Sequence, residues 1–416
     1  MNSIFKYLEL RKAFHGALGK ESLNSKELLY ILGHVFTYLG FFFIAIDIHC
    51  LRNIVHIGIF FQVFASIHFI KRIKGYVGVL LVTLFLYLLI LSIYGFVRGN
   101  WFSYLAFDIF TFSLLICILI GKNGKIIEKV ARVYALFLIP SIVVTIIFLI
   151  TYEPVDIGQR FSVDAHVVFN ILHLLYPSLF VAMFYNTLER IIKVITLLSV
   201  SLMFLIGIIT MTKLETLLPL LVLLIITLNA NSKIKILKSL SILIIFFLIM
   251  FASIYSMSTL RQAFDNFIMR INVEDITSAR NLEATLFLED MIENDILFGR
   301  GLGGSSTSTF WADLPQGIHM VHYGFLHIIL KGGATLLALM VIILLVAVKR
   351  SIGARNCLIH GSRNFVILFI TMNIVHTQFL AGPVMSLFAL ASGHMLIGGT
   401  AVPLFEDHKR NNPLES

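Results

Sequence analysis

Hydrophobic positions along this chain come in runs and do not alternate with polar ones. The stretch "LLVTLFLYLLILSIYGFV" over 80–97 is representative. A helix of about 20 residues at a 1.5 Å rise crosses the hydrocarbon of a bilayer. Backbone polar groups left bare in lipid are costly, so such runs must close their hydrogen bonds as helices or as a barrel. A barrel needs alternating polarity, which these runs lack. The pattern therefore predicts an all-α, polytopic membrane protein with about 12 transmembrane helices. They fall near 28–48, 53–70, 76–97, 101–120, 133–151, 165–185, 194–211, 215–230, 239–257, 321–348, 364–380 and 384–401. One large polar interruption, 258–320, stands between the ninth and tenth runs.

Composition agrees with the pattern. At 58% apolar and 13% charged residues, 416 residues carry too little polar surface for a water-soluble globule. Charge then supplies direction. With the N-terminus in the cytoplasm, the inner loops read "KRIKG", "GKNGKIIEKVAR", "ERIIK", "NSKIKILK" and "KRSIGARNCLIHGSR", and together with the basic N-terminal segment and "HKR" near the C-terminus they hold 23 of the 32 lysines and arginines. The net +9 is thus an insertion bias and not a nucleic-acid surface, since no soluble face interleaves bases with aromatics. The expected organisation is a cytoplasmic segment 1–27, crossings over 28–257, a large periplasmic loop 258–320 containing short helices, crossings over 321–401, and a cytoplasmic tail 402–416. The basic start lacks the short head and immediate apolar core of a cleavable signal.

Eight bases fall on the outer side against this bias: Arg52, Arg98, Arg160, Lys213, Arg261, Arg270, Arg280 and Arg300. Half of them lie in the long loop, where the stretch Thr277 to Asn294 has helical periodicity. Ala284, Phe287, Leu288, Met291 and Ile292 share one face, and Arg280 begins it. The turn "FGRGLGG" follows, whose glycines allow successive N–H groups to face an anion beside Arg300, or simply reverse the chain. The stretch "GGSSTST" reads as flexible linker. His319 and His322 would be one turn apart if the tenth helix began before them. Two histidines at that spacing could hold a metal, but no carboxylate or cysteine completes the set, so no metal and no cofactor are expected. His322 at the membrane boundary suits general-base work. "KGG" at 331–333 should break or kink the same helix against protein. Cys50, Cys117 and Cys357 have no ligand spacing and read as packing residues.

These motifs resemble the O-antigen polymerase and O-antigen ligase superfamily, bacterial integral membrane glycosyltransferases that use undecaprenyl-diphosphate-linked glycans. Arg160 in "GQRFS" stands where the family has an arginine before its sixth crossing. Lys213 in "TMTKLETLLPLLVLL" stands where a short outer turn has Ser-Arg. Arg280 in "TSARNLEA" matches a Ser-Xaa-Arg or Gly-Xaa-Arg element. "FGRGLGG" with "VHYGFLHIILKGG" matches a glycine turn followed by a His-Asn helix start and a glycine pair. Tyr323 replaces the usual asparagine, and Lys213 keeps the charge but not the bidentate fork of arginine. Positions 1–150 match only as generic crossings.

The resemblance implies a fold similar to the GT-C class and a metal-independent inverting glycosyltransferase of the inner membrane, with its site facing the periplasm. His322 and Arg280 are the catalytic candidates; Arg160, Lys213, Arg300 and Tyr323 are the substrate-binding candidates. The expected partners are the undecaprenyl-diphosphate-linked glycan and membrane lipid, with a chain-length regulator protein as a candidate and no nucleic acid. The expected activity is O-antigen or related surface-polysaccharide polymerase in lipopolysaccharide biosynthesis. The alternatives are an O-antigen ligase acting on lipid A core and a lipid-linked oligosaccharide flippase. The flippase reading would rest on Asp47, Asp108 and Lys331 as intramembrane charges. Asp47, beside His49, is also the rival to His322 as base.

Overall fold

The structure, a computed structural model, describes residues 24–48, 53–70, 75–122, 124–151, 171–209, 213–228, 275–291, 293–306, 323–352, 356–375 and 383–398, together with a few single positions between them, His319 and Val321 among these. Every long regular element among the described residues is helical. In chain order they are α1 (Ser25–Ala45), α2 (Ile54–Ile67), α3 (Gly75–Val97), α4 (Phe102–Ser113, prolonged as a 3-10 helix over Leu114–Lys122), α5 (Gly124–Thr151), α6 (Pro177–Met183), α7 (Arg190–Ile209) and α8 (Lys213–Leu228). The long loop contributes α9 (Asp275–Asp290) and α10 (Glu293–Phe298). Then come α11 (Gly324–Ser351), α12 (Cys357–Val375) and α13 (Pro383–Gly393), which passes into a π-helical turn at His394–Gly398.

Six of these are long and apolar enough to cross a membrane: α1, α3, α4 with its 3-10 continuation, α5, α7 and α11. Four shorter apolar helices lie over Ile54–Ile67, Ile171–Met183, Thr216–Thr227 and Val384–Gly398. The ninth expected crossing, 239–257, and the 402–416 tail lie outside the described residues. α3 shows how the bundle faces its surroundings. Leu81, Leu84, Leu88, Leu91 and Gly95 form a buried stripe at spacings of three and four, whereas Leu86, Ile90, Ile93 and Val97 are more than half exposed. A helix apolar on its exposed side as well as its buried side suits hydrocarbon and not water.

Two boundaries differ from the sequence expectation for local reasons. α1 begins at Ser25 because Asn24 Oδ1 accepts from the N–H groups of Lys26 and Glu27, and Glu27 returns a bond to the Asn24 N–H, a capping box. α5 begins at Gly124, within the expected inner loop. Its charges are on one side, with Arg132 bonded to Glu128 at 2.7 Å, while Ile126, Ile127, Val130 and Tyr134 are fully buried on the other. Cys117 is buried and packed as expected, but Cys357 is exposed at the start of α12.

Candidate functional site

The polar residues of the long loop meet the bundle where α3, α4 and α11 converge. α11 is broken at Gly333, whose φ of 66° is closed to most residues, so the kink expected at "KGG" is present. With the helix ladder interrupted, the Leu330 carbonyl accepts the Arg300 N–H at 2.7 Å and the Gly332 carbonyl accepts from Tyr87 Oη at 2.9 Å. The glycine turn enters this gap. Gly299, Gly301 and Gly303 all have positive φ, and a side chain on Gly95 of α3 would meet the Leu302 carbonyl at 2.1 Å. Asn100 Nδ2 donates to the Arg300 and Leu302 carbonyls at 3.0 and 2.9 Å, and the Leu302 N–H donates to Leu91 O at 3.2 Å. The turn is therefore an edge of the bundle, docked through its backbone.

Arg300 does not face outward for a ligand. Its Nε donates to Asp295, its Nη1 to Asp290 and to the Ser305 carbonyl, and its Nη2 to the Asp290 carbonyl, all at 2.6–3.0 Å. Arg98 binds the second oxygen of Asp295 at 3.0 Å. Burial alone would lower the Arg300 pKa, but Asp290 and Asp295 outweigh it and raise it. The substrate-binding role expected of Arg300 is thus replaced by a structural one, because the loop's own carboxylates and carbonyls fill the fork. "GGSSTST" is likewise more than linker at its start: Ser306 is buried and its hydroxyl donates to Asp290 at 2.8 Å.

Below the turn lies a cluster of charges. Asp108 of α4 and Lys331 of α11, both fully buried, pair at 3.0 Å. The Gly303 N–H donates to Asp108 at 2.6 Å. The Lys331 ammonium donates to the Gly304 carbonyl at 2.6 Å, the His319 carbonyl at 2.9 Å and His319 Nδ1 at 2.9 Å. Because an ammonium only donates, Nδ1 must be the acceptor nitrogen, which leaves the proton on Nε2. That nitrogen faces the otherwise unbonded Asp108 Oδ1 at 3.2 Å, and the His319 ring stacks on Tyr104 at 4.2 Å. Burial holds the His319 imidazole below its usual pKa, with the Lys331 charge adding to this and Asp108 opposing it. With its Nδ1 lone pair turned to the Lys331 ammonium, His319 has none left for base catalysis. His327, one turn before Lys331, is buried with its ring centroid 6.1 Å from that of His319.

The other sequence candidates are placed as follows. α9 lies against the start of α11, with Phe287 and Met291 packed on Val321, Leu326 and Leu330. Tyr323 Oη donates to Asn281 Oδ1 at 3.2 Å. Arg280 is therefore the residue before one that touches Tyr323, and His322 is the residue before Tyr323. The side chains of Arg280 and Lys213, and all of His322 and Arg160, lie outside the described residues. Lys213 is the first residue of α8. The loop helix ends at Asp290 and restarts at Glu293, short of a single helix to Asn294, and Leu288 faces outward at 47% exposure. The break follows from Asp290, which is drawn to Arg300 and Ser306. α11 starts at Gly324, with His319 ahead of it, and His322 lies outside the described residues. Asp47 is exposed just past α1, in left-handed backbone at φ 65°.

Sequence reasoning took Asp108 and Lys331 for separate intramembrane charges and gave His319 only a metal-ligand possibility. An ionisable pair two turns inside facing helices was the available signal. Among the described residues no group of three His, Cys, Asp or Glu could hold a metal ion. No family model matches the chain, and no curated protein matches it.

Proposed function

We propose that the chain is a glycosyltransferase of the O-antigen polymerase type, acting on polyprenyl-diphosphate-linked glycans at the periplasmic face of the bacterial inner membrane. The observation that carries the reading is the docking of α9 on the start of α11. Through Phe287, Met291 and the Tyr323–Asn281 bond, the helix bearing Arg280 lies beside the segment bearing His322, where the polar loop meets apolar helices. A lipid diphosphate needs such a boundary: its prenyl chain in hydrocarbon, its anion at the polar edge.

The chemistry follows from that placement. A terminal hydroxyl of a lipid-linked repeat unit attacks the anomeric carbon of the donor glycan. The new C–O bond forms as the bond to the diphosphate oxygen breaks, with inversion. His322 takes the hydroxyl proton, and Arg280 neutralises the departing undecaprenyl diphosphate. Arg160 and Lys213 would bind the remaining charge, and Tyr323 would orient the acceptor. Arg300 is left out, because its donors are filled from within the loop. A flippase needs its membrane charges along a path, whereas Asp108 and Lys331 are fully buried against each other and the loop. A chain-length regulator remains the expected protein partner.

Deleting the gene and running the surface polysaccharide on a gel tests the reading. Loss of the ladder with a single-repeat band retained indicates polymerase; core alone with accumulated lipid-linked polymer indicates the ligase; an unchanged ladder contradicts both. In complementation, Arg280→Ala should give no polymer and Arg280→Lys a partial ladder, because a point charge replaces a fork. Full polymer from Arg280→Ala at native protein level removes Arg280 from the site.

A further inference from the structure

We infer that Asp108 and Lys331 are positioning residues: together they form a latch that holds the glycine turn and His319 against the bundle. The observation behind this is topological. Gly304 and His319 are far apart in the chain, yet the carbonyls of both accept from the one Lys331 ammonium, at 2.6 and 2.9 Å. Asp108 completes the closure from the opposite helix. One of its oxygens takes the Gly303 N–H and the Lys331 charge, and the other faces His319 Nε2. Two charges on two helices thereby hold Gly303, Gly304 and His319 together.

Neutral side chains would do this less well. A fully buried carbonyl pair needs donors that reach two chains at once, and an ammonium supplies three on a flexible stem. The ammonium in turn needs a buried counter-charge, which Asp108 supplies. Past His319, Val321 is buried against Phe287 and Met291, and α11 begins at Gly324. An open latch would thus free the glycine turn and His319 while the helices stay packed. Any cost of this to the reaction rests on the proposed function; the latch itself does not.

The test uses the full chain, purified in detergent, with Cys50 and Cys357 replaced by serine and the fully buried Cys117 kept. Ser306→Cys places a thiol at a position that is 3% exposed. Its reaction with maleimide should be slow in the otherwise native chain and about tenfold or more faster with Lys331→Gln, which leaves the Asp108 carboxylate buried and unpaired. Asp108→Asn alone should give a smaller rise, because Lys331 keeps both carbonyls. The double variant Asp108→Asn with Lys331→Gln removes both charges and keeps hydrogen-bonding groups, so labelling should fall back well below that of Lys331→Gln. If Lys331→Gln does not fold, a folded and slowly labelled double variant supports the pairing on its own. Unchanged labelling in folded Lys331→Gln, or a double variant labelled as fast as the single, overturns the latch. Polymer formation by the same variants is read separately. Faster labelling with undiminished polymer leaves the latch standing and removes the glycine turn and His319 from the reaction.

Discussion

Two buried polar clusters hold this bundle together, and they use different chemistry. Around His34, four helices exchange bonds between neutral groups. His34 of α1 meets Tyr134 of α5 at 3.0 Å, Gln62 of α2 donates to Thr37 at 2.9 Å, and Ser386 of α13 donates to Gln62. Tyr38 donates to the Phe137 carbonyl and meets Ser141. The backbones themselves approach closely here: a side chain on Gly33 would fall 2.5 Å from Gln62, and one on Gly58 2.4 Å from the Thr37 backbone. Around Asp108, by contrast, full charges are buried, and what they bind is mostly backbone. Helices satisfy their own carbonyls and N–H groups, so joining helix to helix needs only small residues and neutral bonds. A loop pressed into a bundle brings carbonyls with no partner, and there the charges are the donors and acceptors.

The largest effect that would separate the two clusters is a loss of one charge. Lys331→Met should cost about 3–5 kcal/mol, because it strands a buried carboxylate. Gln62→Leu, which removes the donor to Thr37 and the acceptor for Ser386, should cost about 1–3 kcal/mol. Tyr38→Phe should cost about 0.6 kcal/mol, the average for a membrane hydrogen bond. Thermal unfolding of the three purified variants measures this order. Equal losses at Lys331 and Tyr38 would erase the distinction between the clusters.

How much of this was legible in the sequence depends on what kind of interaction decides each element. Helix positions were readable wherever burial follows hydrophobicity, as in α3 and α11, and the Gly333 kink followed from two adjacent glycines in an apolar run. The start of α5 was missed because its charges lie along one side, which a running average of polarity counts as loop. The face of α9 was partly right: Phe287 and Met291 pack inward, Leu288 is exposed, and the helix ends at Asp290, which Arg300 binds, while Ile292 lies outside the described residues. At the site, the sequence offers Arg300 as a cation for a ligand, whereas its guanidinium is bonded within the loop. Nothing local to "FGRGLGG" shows that Arg300 meets Asp290 and Asp295, and the Asp108–Lys331 pair spans residues brought together only by the packing of α4 and α11.

A smaller effect sharpens the charged cluster further. His319 is surrounded by Asp108, Lys331, His327 and Tyr104, and burial keeps its folded pKa below the usual value. The unfolded chain takes up a proton near pH 6.5 or about there, whereas the folded protein does so only at lower pH. The His319 contribution to stability is therefore fully present above about pH 6.5 and is lost as pH falls toward the folded pKa. Maleimide labelling of Ser306→Cys, taken at each pH relative to a freely exposed thiol so that the loss of thiolate cancels, should rise over that descent, and His319→Gln should flatten the dependence. An identical pH profile in His319→Gln would assign the titration to another group.

The central claim is that chemistry occurs where α9 meets the start of α11. Single-turnover transfer between purified lipid-linked repeat units, with donor binding measured in parallel, tests it most directly. His322→Ala should slow transfer by about 10² to 10⁴, the range for losing a general base, with the donor still bound. Asp47→Asn, at the exposed end of α1, should transfer at close to the native rate. A large loss in Asp47→Asn with near-native transfer by His322→Ala would move the reaction to the first loop and leave the glycine turn, the latch and the loop helix as architecture alone.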